Sequence, residues 1–149
     1  MNAQELGSDV LVSSAIDATA SGGTALAGTV DMAGFDGVMF IVPMHVANAG
    51  NFIKAGQGDA ANGSDAVDLE GSKVVPLANF DLAILDIYRP KRGTLGPRYI
   101  TCHVIRAGAA TAIGGCIAIR YHSAKKPQVN TVTGQSIYKL LTSPAEGTA

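Results

Sequence analysis

Apolar positions along this chain fall in short runs bounded by glycine and proline, the pattern of strands rather than helices. Val38-Met39-Phe40-Ile41-Val42 is a continuous run, β-branched at both ends, preceded by Gly34 and Gly37 and ended by Pro43. That length and those flanks describe a buried strand. Asp81-Leu82-Ala83-Ile84-Leu85-Asp86-Ile87-Tyr88 follows the same logic and stops at Pro90. Arg98 to Arg106 is rich in aromatic and β-branched residues, and Ile113 to Tyr121 is apolar but broken by Gly114 and Gly115. Strands are therefore predicted near 37–43, 81–89, 98–106 and 114–122. Small residues fill Ala107 to Ala112, which predicts that the last two strands pair as an antiparallel hairpin.

Shorter or weaker strand patterns occupy Asp9–Val12, Thr24–Val30, Phe52–Gly56 and Lys73–Leu77. Between the last two, Gln57 to Asp65 is dominated by Gly, Asn, Asp and Ser and reads as an exposed loop. About eight short strands with frequent turn signals predict an all-β fold, an antiparallel β-sandwich that is jelly-roll-like and carries extended terminal arms. Long helical patterns are missing, which excludes doubly wound and α/β-barrel architectures. Residues 1–127 form one domain, with the first eight or so as an arm. Residues 128–149 form a polar C-terminal arm that includes Ile137-Tyr138-Lys139-Leu140-Leu141.

Composition sharpens this picture. The hydrophobic share is 47%, but 23 alanines supply much of it, and 18 glycines join them. Charged residues reach only 15%, against about 25% in ordinary domains. A surface so poor in charge is either rich in Ser, Thr, Gly and Asn or covered by partners. No apolar stretch is long enough for a membrane span, and Met1–Gly7 has no basic or apolar leader pattern.

The net charge of −1 conceals a partition. Residues 1–86 hold eleven acids and two bases, giving −9, while residues 87–149 hold nine bases and one acid, giving +8. The bases are spread over fifty residues with no interleaved aromatic platform, and the pI is 6.2, so nucleic acid is not the expected partner. Two readings remain: an acidic face meets a basic face across subunits, or the halves interleave and the charges mix on one surface.

Candidate chemistry is sparse. Asp59, Asp65, Asp68 and Glu70 offer oxygen ligands but lack the EF-hand spacing, so they read as solvated loop acids. Cys102 and His103 are adjacent on a strand and point to opposite faces, which disfavours a zinc site with Cys116 and His122. Cys102 and Cys116 are expected to be reduced and structural. No nucleophile elbow and no glycine-rich phosphate loop occurs, and His45, His103 and His122 lack an orienting context. The expectation is a protein that is not an enzyme and uses no metal or cofactor.

Three blocks carry a family resemblance. Val30-Asp31-Met32-Ala33-Gly34-Phe35-Asp36-Gly37 running into Val38–Val42 resembles a segment of small virion proteins of tailed bacteriophages. So do Leu85-Asp86-Ile87-Tyr88-Arg89-Pro90, followed by Gly96-Pro97-Arg98-Tyr99-Ile100, and the stretch Ile117 to Pro127. The resemblance covers roughly residues 28 to 127 and is to capsid decoration, or cement, proteins. It implies a jelly roll or related sandwich on an icosahedral shell, in the virion, made in the host cytoplasm. The implied partners are the major capsid protein and the chain itself, as a dimer or trimer, with no nucleic acid and no membrane. The resemblance implies no particular binding residues; the charge partition points to Arg89, Lys91, Arg92, Arg98, Lys125 and Lys126 as the capsid or subunit interface. Arg89-Pro90-Lys91-Arg92 would also blunt a strand edge. The alternatives are another phage component, such as a tail-tube or head–tail joining protein, and then a carbohydrate-binding sandwich, which the absence of Trp weakens.

Overall fold

The computed structural model describes residues 9–89 and 96–124. They form ten strands: β1 Leu11–Ile16, β2 Thr19–Gly22, β3 Leu26–Asp31, β4 Phe35–Pro43, β5 Asn51–Gly58, β6 Val67–Asp68, β7 Leu82–Tyr88, β8 Tyr99–Arg106, β9 Thr111–Ile113 and β10 Cys116–Ser123. All pairings are antiparallel. One sheet has the order β1-β10-β4-β7, a second has β3-β8-β5-β6, and β2 pairs with β9 in a small third sheet. No helix among the described residues is long and apolar enough to cross a membrane.

The two four-stranded sheets pack face to face. Val38, Phe40, Val42, Leu85 and Ala118 of the first sheet meet Val30, Ile53, Ile100, Cys102 and Val104 of the second. Each is a period-two position on its strand, so one side chain in two points into the sandwich. Fully burying side chains of this size stabilises by about 1.5–3 kcal/mol each, which makes this layer the main source of stability. The four strands read most strongly from the sequence all form, with ends displaced by one or two residues.

One pairing expectation and several strand bounds are corrected. The strands at 98–106 and 114–122 are not a hairpin: β8 pairs with β3 and β5, and β10 pairs with β1 and β4, in opposite sheets. The small-residue stretch 107–112 instead carries the chain across one end of the sandwich, where Gly108 N–H donates to the Gly50 carbonyl at 3.2 Å. Gly114-Gly115 then separates β9 from β10. Gly115 has φ +92°, and a Cβ there would lie 2.9 Å from the Ile16 carbonyl oxygen. Lys73–Leu77 is not a strand; Val74 alone bridges Ile53. The weak pattern at Asp9–Val12 continues to Ile16 as β1. The expected loop at 57–65 begins later, since Gln57 and Gly58 belong to β5, and its remainder folds over Thr29 and Thr101 on the outer face of the second sheet. The expected C-terminal arm, 128–149, lies outside the described residues, as does the arm at 1–8.

Candidate functional site

One end of the sandwich gathers Arg89, Arg98 and Arg120 of the basic half. It is built on the turn between β3 and β4, where Asp31 Oδ1 accepts from Ala33 N–H at 2.9 Å and Gly34 takes φ +82°. Three other segments are tied to this turn by backbone hydrogen bonds: Met32 N–H to the Arg98 carbonyl at 3.0 Å, Arg89 N–H to the Asp36 carbonyl at 2.6 Å, and Ala124 N–H to the Gly34 carbonyl at 2.8 Å. The end of β7, the start of β8 and the exit from β10 therefore meet in one place.

The side chains complete the arrangement. Arg98 holds Asp31 with two parallel bonds, Nε to Oδ1 at 2.9 Å and Nη2 to Oδ2 at 2.5 Å. This fork-to-fork geometry is the strong form of the pair. The Arg98 guanidinium pulls the Asp31 carboxyl below its ordinary range, partly opposed by burial, and Asp31 in turn raises Arg98. Arg98 N–H also donates to Asp59 Oδ1 at 3.1 Å. Arg120 donates to the Asp31 carbonyl at 2.8 Å and lies over the Phe35 ring, 5.2 Å from its centroid. Burial lowers its pKa, opposed by the Asp31 charge. Arg89 Nη1 donates to the Pro97 carbonyl at 2.5 Å.

Of the six expected interface residues, Arg89 and Arg98 are brought to this end. Lys91, Arg92, Lys125 and Lys126 lie outside the described residues, and their described neighbours Arg89, Gly96 and Ala124 flank it. The pair between Asp31 of the acidic half and Arg98 of the basic half shows the two halves interleaving here, because antiparallel β3 and β8 set Asp31 beside Tyr99.

The other sequence candidates have separate places. Asp65 accepts from the Asp59 and Ala60 N–H groups, which lower its pKa, and Asp68 pairs with Lys54. These acids therefore organise their own loop. Among the described residues no three or more metal-ligating side chains cluster. His103 points outward beside Lys54, and burial first, then the Lys54 charge, lower its pKa. Cys102 and Cys116 are free and buried, on inner faces of opposite sheets. The Cys116 thiol beside it, together with burial, pushes the Cys102 thiol far up, away from the thiolate that a reactive cysteine needs.

Two residues that sequence reasoning passed over close the opposite end. Arg106, only 3% exposed, donates Nε to the Thr24 carbonyl at 2.8 Å and Nη1 to the carbonyls of Ala20 and Thr111 at 3.0 and 2.9 Å. Asn51, its cross-strand neighbour, is fully buried. Asn51 Nδ2 donates to the carbonyls of Val46 and Ala109, and its Oδ1 accepts from the N–H groups of Gly108 and Ala109. The charge at the end of the Tyr99–Arg106 strand was the only sequence signal for Arg106, and it reads equally as a surface residue.

A groove of about 420 Å³ runs beside β7, between Leu85–Arg89 and the turn Leu69–Ser72. It holds no nucleophile–base pair and no metal cluster. A scan against protein-family models finds no match for this chain, and a search of curated proteins finds none.

Proposed function

We propose that the protein is a bacteriophage capsid decoration, or cement, protein that binds the major capsid protein shell, stabilises the head, and works as a homo-oligomer in the virion without catalysis or cofactor. The observation that supports this reading is that Arg89 and Arg98, two of the six expected interface residues, meet at one end of the sandwich, where Arg98 is anchored by Asp31. A body poor in charge, with Arg89 and Arg98 gathered at one end, suits a protein held between neighbours. The strand orders β1-β10-β4-β7 and β3-β8-β5-β6, with consecutive long strands alternating between sheets, support the jelly-roll reading that the residue blocks imply. Many copies each making weak contacts would act together on a shell.

Binding to shells stripped of the protein tests this reading. Exposed charge pairs contribute about 0–1 kcal/mol each, so substituting Arg89, Lys91 and Arg92 together by Ser is expected to weaken binding roughly 10- to 100-fold without unfolding the domain. Occupancy is also expected to fall with salt, since the Debye length shrinks from about 10 Å at 0.1 M to about 3 Å at 1 M. Salt-independent occupancy, with the triple variant binding like the parent, would remove the basic end from the reading.

A further inference from the structure

β7 is an edge strand whose only charge between Leu82 and Tyr88 is Asp86. It pairs with β4 on one side, and among the described residues nothing pairs with the other. The hydrogen bonds that flank this ladder, Arg89 N–H to the Asp36 carbonyl and the Asp81 carbonyl to Met44 N–H, fix its phase. Odd-numbered residues of β7 turn their backbone groups to β4. Leu82, Ile84, Asp86 and Tyr88 turn theirs outward. An open edge is normally blunted by lysine, proline or a bulge, and Leu82–Tyr88 contains none.

The same segment concentrates the exposed apolar surface. Of seven large hydrophobic residues left exposed among the described residues, five lie between positions 77 and 88: Leu77 at 92%, Phe80 at 72%, Leu82 at 58%, Ile84 at 47% and Tyr88 at 53%. Phe80 is held there in the left-handed region, with φ +67°. The turn that presents it is fixed by Asp81 Oδ2, which accepts from the N–H groups of Leu77 and Ala78 at 2.9 and 2.8 Å. A non-glycine residue in that conformation persists only where its surroundings enforce it.

We propose that β7 pairs with β7 of a second copy about a two-fold axis, joining two four-stranded sheets into one of eight. The occupant follows from symmetry and charge. An isologous contact requires that one surface complement itself, and an antiparallel strand pair does so. With the axis at Ile84, Ile84 faces its own copy, Leu82 faces Asp86 of the partner subunit, and Phe80 approaches Tyr88 of the partner subunit. The two Asp86 carboxylates then stand four residues apart along the edge, about 13 Å, beyond the Debye length in physiological salt. An axis at Asp86 would set them directly opposite, which is unfavourable. Pairing buries the outward backbone groups of Leu82, Ile84, Asp86 and Tyr88 together with the flanks of their side chains, whose outer faces stay on the surface of the joined sheet.

The proposal names the surface for the self-association in the functional reading and rests on that part alone, so shell binding is scored separately. Sedimentation of the full chain at about 100 μM, above the micromolar Kd that small interfaces reach, is expected to give a dimer. Ile84→Pro deletes an edge N–H that bonds nothing within the protomer, which an edge strand tolerates. It is expected to weaken association at least tenfold, whereas Ile84→Val leaves it unchanged. Ile117→Lys, exposed on the same sheet face but in β10, is expected to leave the dimer intact, which separates edge pairing from face packing. Should Ile84→Pro lose its β-sheet circular dichroism, Ile84→Lys replaces it, with a monomer expected. A monomeric parent, or a dimer that survives the substitutions at Ile84, overturns the proposal. Loss of shell binding by a dimer would count against the functional reading and not against this surface.

Discussion

Replacing Arg106 with methionine is expected to lower the unfolding free energy by about 3–5 kcal/mol, measured by urea titration with the slope unchanged. The guanidinium lies inside the sandwich and bonds carbonyls of three segments: Ala20 in β2, Thr24 before β3, and Thr111 in β9. Methionine keeps the stem and removes all three bonds from a charged donor, at about 1–3 kcal/mol each before relaxation, the buried Thr111 carbonyl losing most and the part-buried Ala20 and Thr24 carbonyls less. Arg106→Lys is expected to recover less than half of the loss. A single ammonium cannot occupy both the Nε and Nη1 positions. The β2–β9 sheet depends on this contact, so amide exchange there should accelerate before it does in β4 or β10. A loss below about 1 kcal/mol would mean that water replaces the guanidinium and that the end of the sandwich is open.

Asn51→Ala is expected to cost about 2–4 kcal/mol. The side chain uses both donors and both acceptor positions of its amide on Val46, Gly108 and Ala109, so alanine strips the Val46 and Ala109 carbonyls and the Ala109 N–H of this partner, while Gly108 N–H keeps the Gly50 carbonyl. Asn51→Asp should be worse than alanine: a carboxylate cannot donate to the Val46 and Ala109 carbonyls, and it brings a charge into a buried site. Since Asn51 and Arg106 face each other across the β5–β8 ladder, the double substitution should cost less than the sum of the two. A strictly additive result would show that the two residues hold their segments independently.

Both residues mark where local sequence reading stops. The strands containing Phe40, Leu85, Ile100 and Ala118 were legible because their apolar and β-branched runs are bounded by glycine, proline or charge, and burial then enforces their phase. The partner of each strand was not legible. A stretch such as Ala107–Ala112 has the composition of a hairpin loop, and only the opposite sheets chosen by β8 and β10 distinguish a tight turn from a crossing. That choice is a property of long-range packing. β2 was missed because Thr19-Ala20-Ser21-Gly22 has almost no apolar content and pairs through a register shift. The basic end was visible as a list of charges, but its Asp31 anchor was not, because Asp31 and Arg98 are separated by 67 positions and meet only through the β3–β8 pairing.

The central claim is that the protein coats a phage shell, and copy number in purified particles tests it most directly. Quantitative mass spectrometry of intact virions, normalised to the major capsid protein, is expected to find on the order of hundreds of copies, in fixed ratio to capsid subunits, as repeated surface binding requires. About six or twelve copies would identify a ring component at the head–tail joint, and absence from purified particles would contradict a virion role outright.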